Sequence, residues 1–358
     1  MKLPFRQFKS KTLFGLDIGS SSVKAVELKV SARGFELMHL GVAKVPHEAI
    51  VQGAFLNAGA IADAIREAVE NAKIKSANVA VAVSGHSVIV KKISLPTMTR
   101  EELEESIRWE AEQYIPFDVN EVNLDFEILN PGAVEGQMDV LLVAAKKELI
   151  DDTVNVLAEA GMTPSVIDVA GFAVANAWEA NADAGPDDVI AIANIGAQST
   201  NINVLARGVP AFTRDISIGG NAYTEEIQKT LSIGFEEAER IKLGGSREED
   251  SEDVVPHEVE QAMRNVSDQV IGEISRSLDF FSATSAENRV SKVFLAGGSS
   301  KVPGFDKRFE EKTGFPVERL EPLARMLPSS MYESAFVTDM APFLGVAVGL
   351  ALREGGDR

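Results

Sequence analysis

No cysteine occurs among the 358 residues, and histidine, tryptophan and tyrosine number only four, two and three. Without thiols, disulfide staples, thiolate nucleophiles and cysteine-held metal centres are excluded. His39, His47, His86 and His257 are too scattered for a histidine-rich metal centre, and each reads as a surface residue. Positive charge is also scarce: 35 Lys and Arg stand against 54 Asp and Glu, a formal net charge of −19. So acidic a chain is no general nucleic-acid binder, because neutralising phosphates takes clustered Lys and Arg. A single nucleotide remains admissible, since it needs only a few local donors. Long apolar runs are missing too. The longest, Pro342–Leu352, falls well short of the ~20 residues that span a bilayer. The opening MKLPFRQFKSK lacks the ~7–15-residue apolar stretch of a signal peptide. It reads as a flexible basic arm, or as a short surface-lying amphipathic helix. The expectation is a cytoplasmic chain that reaches a membrane mostly through a partner.

What is present is a globular composition, 45% hydrophobic and 25% charged, long enough for two domains or one large two-lobed one. Leu13–Ile18, Val23–Val30 and Phe35–Val45 are β-rich runs joined by polar turns, a predicted antiparallel meander. Helical spacing follows over Gly59–Asn71, then a strand over Asn78–Ser84. The block 85–161 reads strand, helix, strand, strand, helix, with Thr99 and Glu102 forming a capping box on its first helix. That block is expected to be a compact α+β insertion. Gly185-Pro186 marks a hinge, and then the pattern starts again: Val189–Ile195, Asn201–Arg207 and Val209–Ile216 form a second meander. Helices are expected over Asn221–Leu231, Phe235–Leu243 and His257–Phe281, a buried strand over Val293–Ala296, and a helix over Pro342–Leu352 packed on the first lobe. The acidic stretch between Glu236 and Glu260 reads as a solvated face. Trp109 and Trp178 sit at helical positions and are expected to be packed rather than ligand-stacking. A duplicated unit of this kind predicts two lobes facing each other across a cleft.

The two repeats open with similar polar turns. In Asp17-Ile-Gly-Ser-Ser-Ser-Val-Lys24, Gly19 lets a ligand approach the backbone, and Ser20, Ser21 and Ser22 add hydroxyls to N–H groups suited to phosphate. Asp17 can hold a metal ion, Mg²⁺, through water, and Lys24 presents a point charge to phosphates. Asn194, Gly196, Ala197, Gln198, Ser199 and Thr200 form the second turn. Two such turns from equivalent places could clamp a polyphosphate from both sides. Gly297-Gly298-Ser299 follows a buried strand and can pass under a flat ring.

D-x-G-x-x-x-x-K, then x-x-G-x-x-S/T, then a late G-G-S/T resemble the two phosphate motifs and the adenosine motif of the actin/Hsp70/FtsA superfamily, over nearly the whole chain. The resemblance implies a two-lobed actin-like α/β ATPase fold with an inserted α+β (SHS2-type) subdomain, and ATP with Mg²⁺ between the lobes. It implies that Glu239 bonds the ribose, that Lys242 lies along the base, and that Gly219-Gly220 lies near the phosphates. Residues 1–84, 162–187 and 333–358 would form the first lobe, with 85–161 as its insertion; 188–230 and 290–332 would form the second, with 231–289 as its helical part. Ile115-Pro-Phe117 after the Trp109 helix is similar to the PilM family of type IV pilus assembly proteins, as is the lack of an amphipathic stretch after Leu352. That likeness implies docking onto the cytoplasmic N-terminal tail of a PilN-like inner-membrane protein, a short extended peptide in a groove near the insertion; self-association is a separate partner reading that the sequence leaves open.

For hydrolysis, the candidates are Asp17, Asn194 and Asp168. Position 194 is usually aspartate in the superfamily, and Asn194 adds no negative charge; Ala170 stands where a water-orienting residue is common, with Asp168 as the alternative. Losing a positioned base costs ~10²–10⁴-fold in rate, so slow or absent hydrolysis is expected. Rival readings are an FtsA-like membrane-associated filament former, a small-molecule kinase and a chaperone-like ATPase.

Overall fold

A computed structural model of the chain describes residues 13–31, 34–130, 136–182, 185, 188–244, 257–285, 289–327 and 331–354. The basic start, residues 183–184 and 186–187 of the hinge, and residues 245–256 of the acidic stretch lie outside the described residues. The chain runs β1 (Phe14–Ile18), β2 (Ser22–Ser31), β3 (Gly34–Lys44), a small hairpin of β4 (Ile50–Val51) and β5 (Ala54–Phe55), α1 (Ala58–Ala72) and β6 (Asn78–Val83). Next come β7 (Val88–Pro96), α2 (Arg100–Ala111), β8 (Val122–Asn130), β9 (Gln137–Lys146), α3 (Lys147–Glu159), β10 (Thr163–Val169) and α4 (Ala170–Asn181). The second half holds β11 (Val189–Ile195), β12 (Thr200–Ala206), β13 (Val209–Ile216), α5 (Asn221–Leu231), α6 (Phe235–Lys242), α7 (His257–Thr284) and β14 (Lys292–Ala296). It ends with α8 (Phe305–Thr313), β15 (Val317–Arg319), α9 (Ser334–Met340) and α10 (Gly345–Ala351).

The duplication is literal in the topology. One five-stranded sheet has the order β3-β2-β1-β6-β10, the other β13-β12-β11-β14-β15. In each, an antiparallel meander is extended by two parallel strands. Alternation along β1 explains its two faces. Phe14 and Leu16 point into a core with Ile61, Ile65 and Val69 of α1, while Gly15 faces the other way. There α10 lies so close that a Cβ on Gly15 would sit 2.1 Å from the Ala347 carbonyl oxygen. Helices α4 and α10 fill the space between the sheets: Ala173, Val174 and Trp178 of α4 and Val346 and Leu350 of α10 share one buried cluster with Ile190, Ile192 and Phe294 of the second sheet. Trp178 makes an edge contact with Phe294 at 5.6 Å between ring centroids.

The insertion has a core of its own. The sheet β7-β9-β8 carries Ile93, Val140 and Leu142 against Leu103, Ile107 and Ala111 of α2. Both halves of the capping box form: Glu102 N–H donates to Thr99 Oγ1 at 3.2 Å and Thr99 N–H to Glu102 Oε2 at 2.8 Å. Helix α3 departs from expectation, because its buried Val156 and Leu157 belong to the first lobe's core beside α1 rather than to the insertion. Trp109 departs too. It is 67% exposed, since it lies two residues past Ile107, about 200° around the helix from the buried stripe. The expected Pro342–Leu352 helix is broken: a 3₁₀ turn over Ala341–Phe343 ends at Leu344, and α10 starts anew. Helices α8 and α9 and strand β15 have no counterpart in the sequence reading. His39 is half-buried, its Nε2 3.6 Å from Glu27 across β2 and β3.

Candidate functional site

Beyond the packed helices α4 and α10, between the turns that cap the two sheets, lies a cleft of about 1300 Å³. Its walls come from the tips of the two meanders. On one side, β1 and β2 pair with Asp17 opposite Lys24, and the turn closes by Gly19 N–H donating to the Ser22 carbonyl at 3.1 Å. On the other, β11 and β12 pair with Asn194 opposite Asn201, and Gly196 N–H donates to the Ser199 carbonyl at 2.9 Å. The same hydrogen bond thus shapes both turns. Lys24 Nζ stands 3.0 Å from Asp17 Oδ2, with the two side chains 12% and 18% exposed, so the pair is sheltered yet open to the cleft. Ser20, Ser21 and Ser22 line the first wall and Ala197, Gln198 and Ser199 the second.

The glycine pairs are where backbones must touch. Gly297 (φ 83°) ends β14, and a Cβ there would meet the Ile195 carbonyl oxygen at 2.3 Å and Asn194 Oδ1 at 2.8 Å. A Cβ on Gly298 would strike the Phe343 ring at 2.4 Å. The Gly196 carbonyl accepts from Gly220 N–H at 2.9 Å and from Ser299 Oγ at 2.8 Å. Gly219-Gly220 and Gly297–Ser299 are therefore both moored on the second turn. Further along the wall, Lys242 Nζ lies 2.5 Å from Glu239 Oε2 and donates to Thr224 Oγ1 at 3.0 Å and to the Gly220 carbonyl at 3.3 Å. Thr224 Oγ1 donates in turn to Glu239 at 2.5 Å.

Of the sequence-predicted residues, Thr200 is buried with its Oγ1 donating to the Ile218 carbonyl at 2.8 Å, and Asp168 too is kept away from the cleft. Asp168 is buried, accepts from Val169 N–H at 2.7 Å and faces Arg353 Nη1 at 3.5 Å. Ala170 lines the cleft instead. Sequence reasoning missed Asn201 and Asp215. Asn201 is the register equivalent of Lys24 and donates from Nδ2 to Asp215 Oδ1 at 2.9 Å. Asp215 Oδ2 accepts from Gly85 N–H at 2.7 Å, joining the second sheet to the root of the insertion. The signal available was a carboxylate near the end of β13, in register opposite Asn201. Beyond the glycine pairs, α7 and α8 border the cleft. There a bidentate bond from Arg308, with Lys312 Nζ at 2.8 Å, holds the Asp268 carboxyl down at about 2. Burial pushes the Tyr223 hydroxyl up to about 12 despite its bond with Ser267.

Twin meander-based sheets, hinged by two buried helices and facing each other with matched turns, define the actin-like two-lobed class, here with an α+β insertion in the first lobe. The family described as "Type IV pilus assembly protein PilM" matches residues 15–355, and the chain belongs to that family. A chain of the solved PilM-PilN type IV pilus biogenesis complex superposes with a TM-score of 0.83 at 30% identity, covering 97% of this chain and 99% of its own. The cell division protein FtsA of Pseudomonas aeruginosa is 24% identical over 350 residues, 86% of this chain and 82% of that protein. MreB5 of Spiroplasma citri, solved bound to AMPPNP, shares the fold at a TM-score of 0.51 and 14% identity over 94% of each chain. Among the described residues, no single helix is long and apolar enough to cross a membrane.

Proposed function

We propose that the cleft binds ATP with Mg²⁺, and that the protein is a nucleotide-locked scaffold of the type IV pilus assembly machinery. In this reading it works on the cytoplasmic side of the inner membrane, held there by the cytoplasmic N-terminal tail of a PilN-like membrane protein. The observation that carries the nucleotide part is the matched pair of turns, Gly19–Ser22 and Gly196–Ser199, aimed into one cleft with Lys24 between them. Successive N–H groups and hydroxyls on two walls suit the oxygens of a polyphosphate, and Lys24 adds a cation. The glycine pair beside Phe343 offers a flat surface for a base, and the Glu239–Lys242–Thr224 group offers ribose and base partners. The pilus role and the partner rest on family membership and on the likeness to the PilM-PilN complex.

The donor set fits Mg²⁺ carried in on the phosphates. Asp17 supplies one carboxylate and Asn194 one amide oxygen at the ends of facing strands, and no group of three or more acidic or histidine side chains able to hold a metal alone exists among the described residues. When bound, the ion neutralises phosphate charge. Lys24 shields Asp17, the turns orient the phosphates, and the walls exclude water. Next to the turns, the carboxylates of Asp17 and Asp215 are both engaged, by Lys24 and by Asn201 with Gly85. With Ala170 where a water-holding group would stand, slow or absent hydrolysis follows. Mass spectrometry of nucleotide released from denatured protein, together with steady-state turnover, tests this. Bound ATP and turnover far below one per minute are expected, whereas turnover near one per second overturns the locked-nucleotide reading.

A further inference from the structure

The loop between β3 and α1, residues 46–53, is not absorbed by that reading, although it lies along the mouth of the cleft. Its root is fixed to the first turn, since Val45 N–H donates to the Ser21 carbonyl at 3.0 Å. Its tip reaches the other lobe. Gln198 of the second turn donates from Nε2 to the Ile50 carbonyl at 2.5 Å, and its Oε1 accepts from Gln52 N–H at 3.0 Å. Both ends of one amide are thus engaged by backbone groups across the cleft, a geometry that fixes distance and direction together. Nearby, the His47 ring lies against Phe235 at 3.7 Å between centroids, and Phe235 begins α6, the helix of Glu239 and Lys242. Glu48 (φ 64°) and Gln52 (φ 50°) hold left-handed backbone conformations that non-glycine residues keep only where surroundings enforce them.

We propose that residues 46–53 form a strap that latches the two lobes together and sets the rate at which nucleotide enters and leaves the cleft, with Gln198 and Phe235 as its catches on the second lobe. The proposal rests on the cleft being a nucleotide site. Every contact named is protein to protein, so the strap opposes opening with or without a ligand. Releasing it speeds entry and exit alike. A residue that only touched nucleotide would change exit and leave entry as it was.

The test uses the full chain with Mg²⁺ and N-methylanthraniloyl-ATP, measuring association and, on chase with excess ATP, dissociation by stopped-flow fluorescence. The variants are His47→Ala, Phe235→Ala and the double variant, chosen because neither residue is among those assigned to nucleotide. His47 is exposed, so its replacement leaves the lobe's core intact. Each single variant is expected to raise both rate constants about three- to tenfold, the span of one aromatic contact. The dissociation constant should change less than twofold, and the double variant should be no faster than either single one, because one contact is lost only once. Wild-type rates in all three variants, additive effects in the double variant, or a change in dissociation alone overturns the latch while leaving the nucleotide site standing. A wild-type protein that binds no analogue at all overturns the nucleotide reading and the latch with it.

Discussion

Lys24 joins two roles, neutralising Asp17 at 3.0 Å and presenting positive charge to the cleft. Lys24→Ala should therefore weaken Mg-ATP binding by about 1.5–3 kcal/mol, roughly ten- to a hundredfold in Kd, the range of a charge-assisted hydrogen bond. Isothermal titration checks this, and wild-type affinity in the variant would remove Lys24 from the site. Asp268 gives a second residue-scale expectation. Arg308, then Lys312, hold its carboxyl at about 2 against an ordinary 3.8, so the native state binds fewer protons than the unfolded one. The stabilisation is complete above about pH 4 and disappears as pH falls through about 2. With a side chain 30% exposed and screened, it is worth about 1 kcal/mol. Asp268→Asn should be less stable than wild type at pH 6 and converge on it as pH falls below about 2 by urea unfolding; a difference that stays constant with pH contradicts the assignment. At this scale, legibility followed sequence distance. Asp17 and Lys24 face each other across one tight turn, so their motif could be read. Asp215 with Gly85 and Gln198 with Ile50 meet across two lobes, 130 and 148 residues apart, and nothing local announces them.

Helices α4 and α10 show how an element's position can depend on a missing side chain. A Cβ on Gly349 would come within 1.6 Å of the Ala173 carbonyl oxygen, so the helices can cross this closely only with glycine there. Gly349→Ala should cost about 3 kcal/mol or more, seen as a lowered urea midpoint, despite alanine's better helix propensity. A neutral or stabilising effect would mean that the helices do not cross where described. The strands and helices with strong periodicity were legible, including the repeated meander and the capped α2. Short elements were not. Strand β15 has three residues and exists through its pairing with β14, and α9 buries no residue. Trp109 was misjudged by treating a helical position as a buried one; the stripe through Leu103, Ile107 and Ala111 already places it on the far side. Helix α3 was legible as a helix, but its allegiance to the first lobe depends on α1, which lies before the insertion.

At the scale of the molecule, two sheets of one topology meet through a buried hinge at the base of the cleft, and the strap spans its mouth. A ligand that bridges the two turns favours the closed arrangement by its differential affinity for it, and any surface whose shape depends on lobe angle is biased with it. Under the proposed function, a nucleotide held without turnover would govern a partner by this coupling. The insertion, with its own core on the rigid first lobe, suits such a partner surface. The most direct test of the central claim is calorimetric titration of a PilN-like N-terminal peptide into the nucleotide-stripped protein and into the Mg-ATP-saturated protein. Binding at least about fivefold tighter with Mg-ATP is expected, the lower end of ordinary coupling between sites. Equal affinity in the two states would contradict the account, because the nucleotide would then lock nothing that the partner reads.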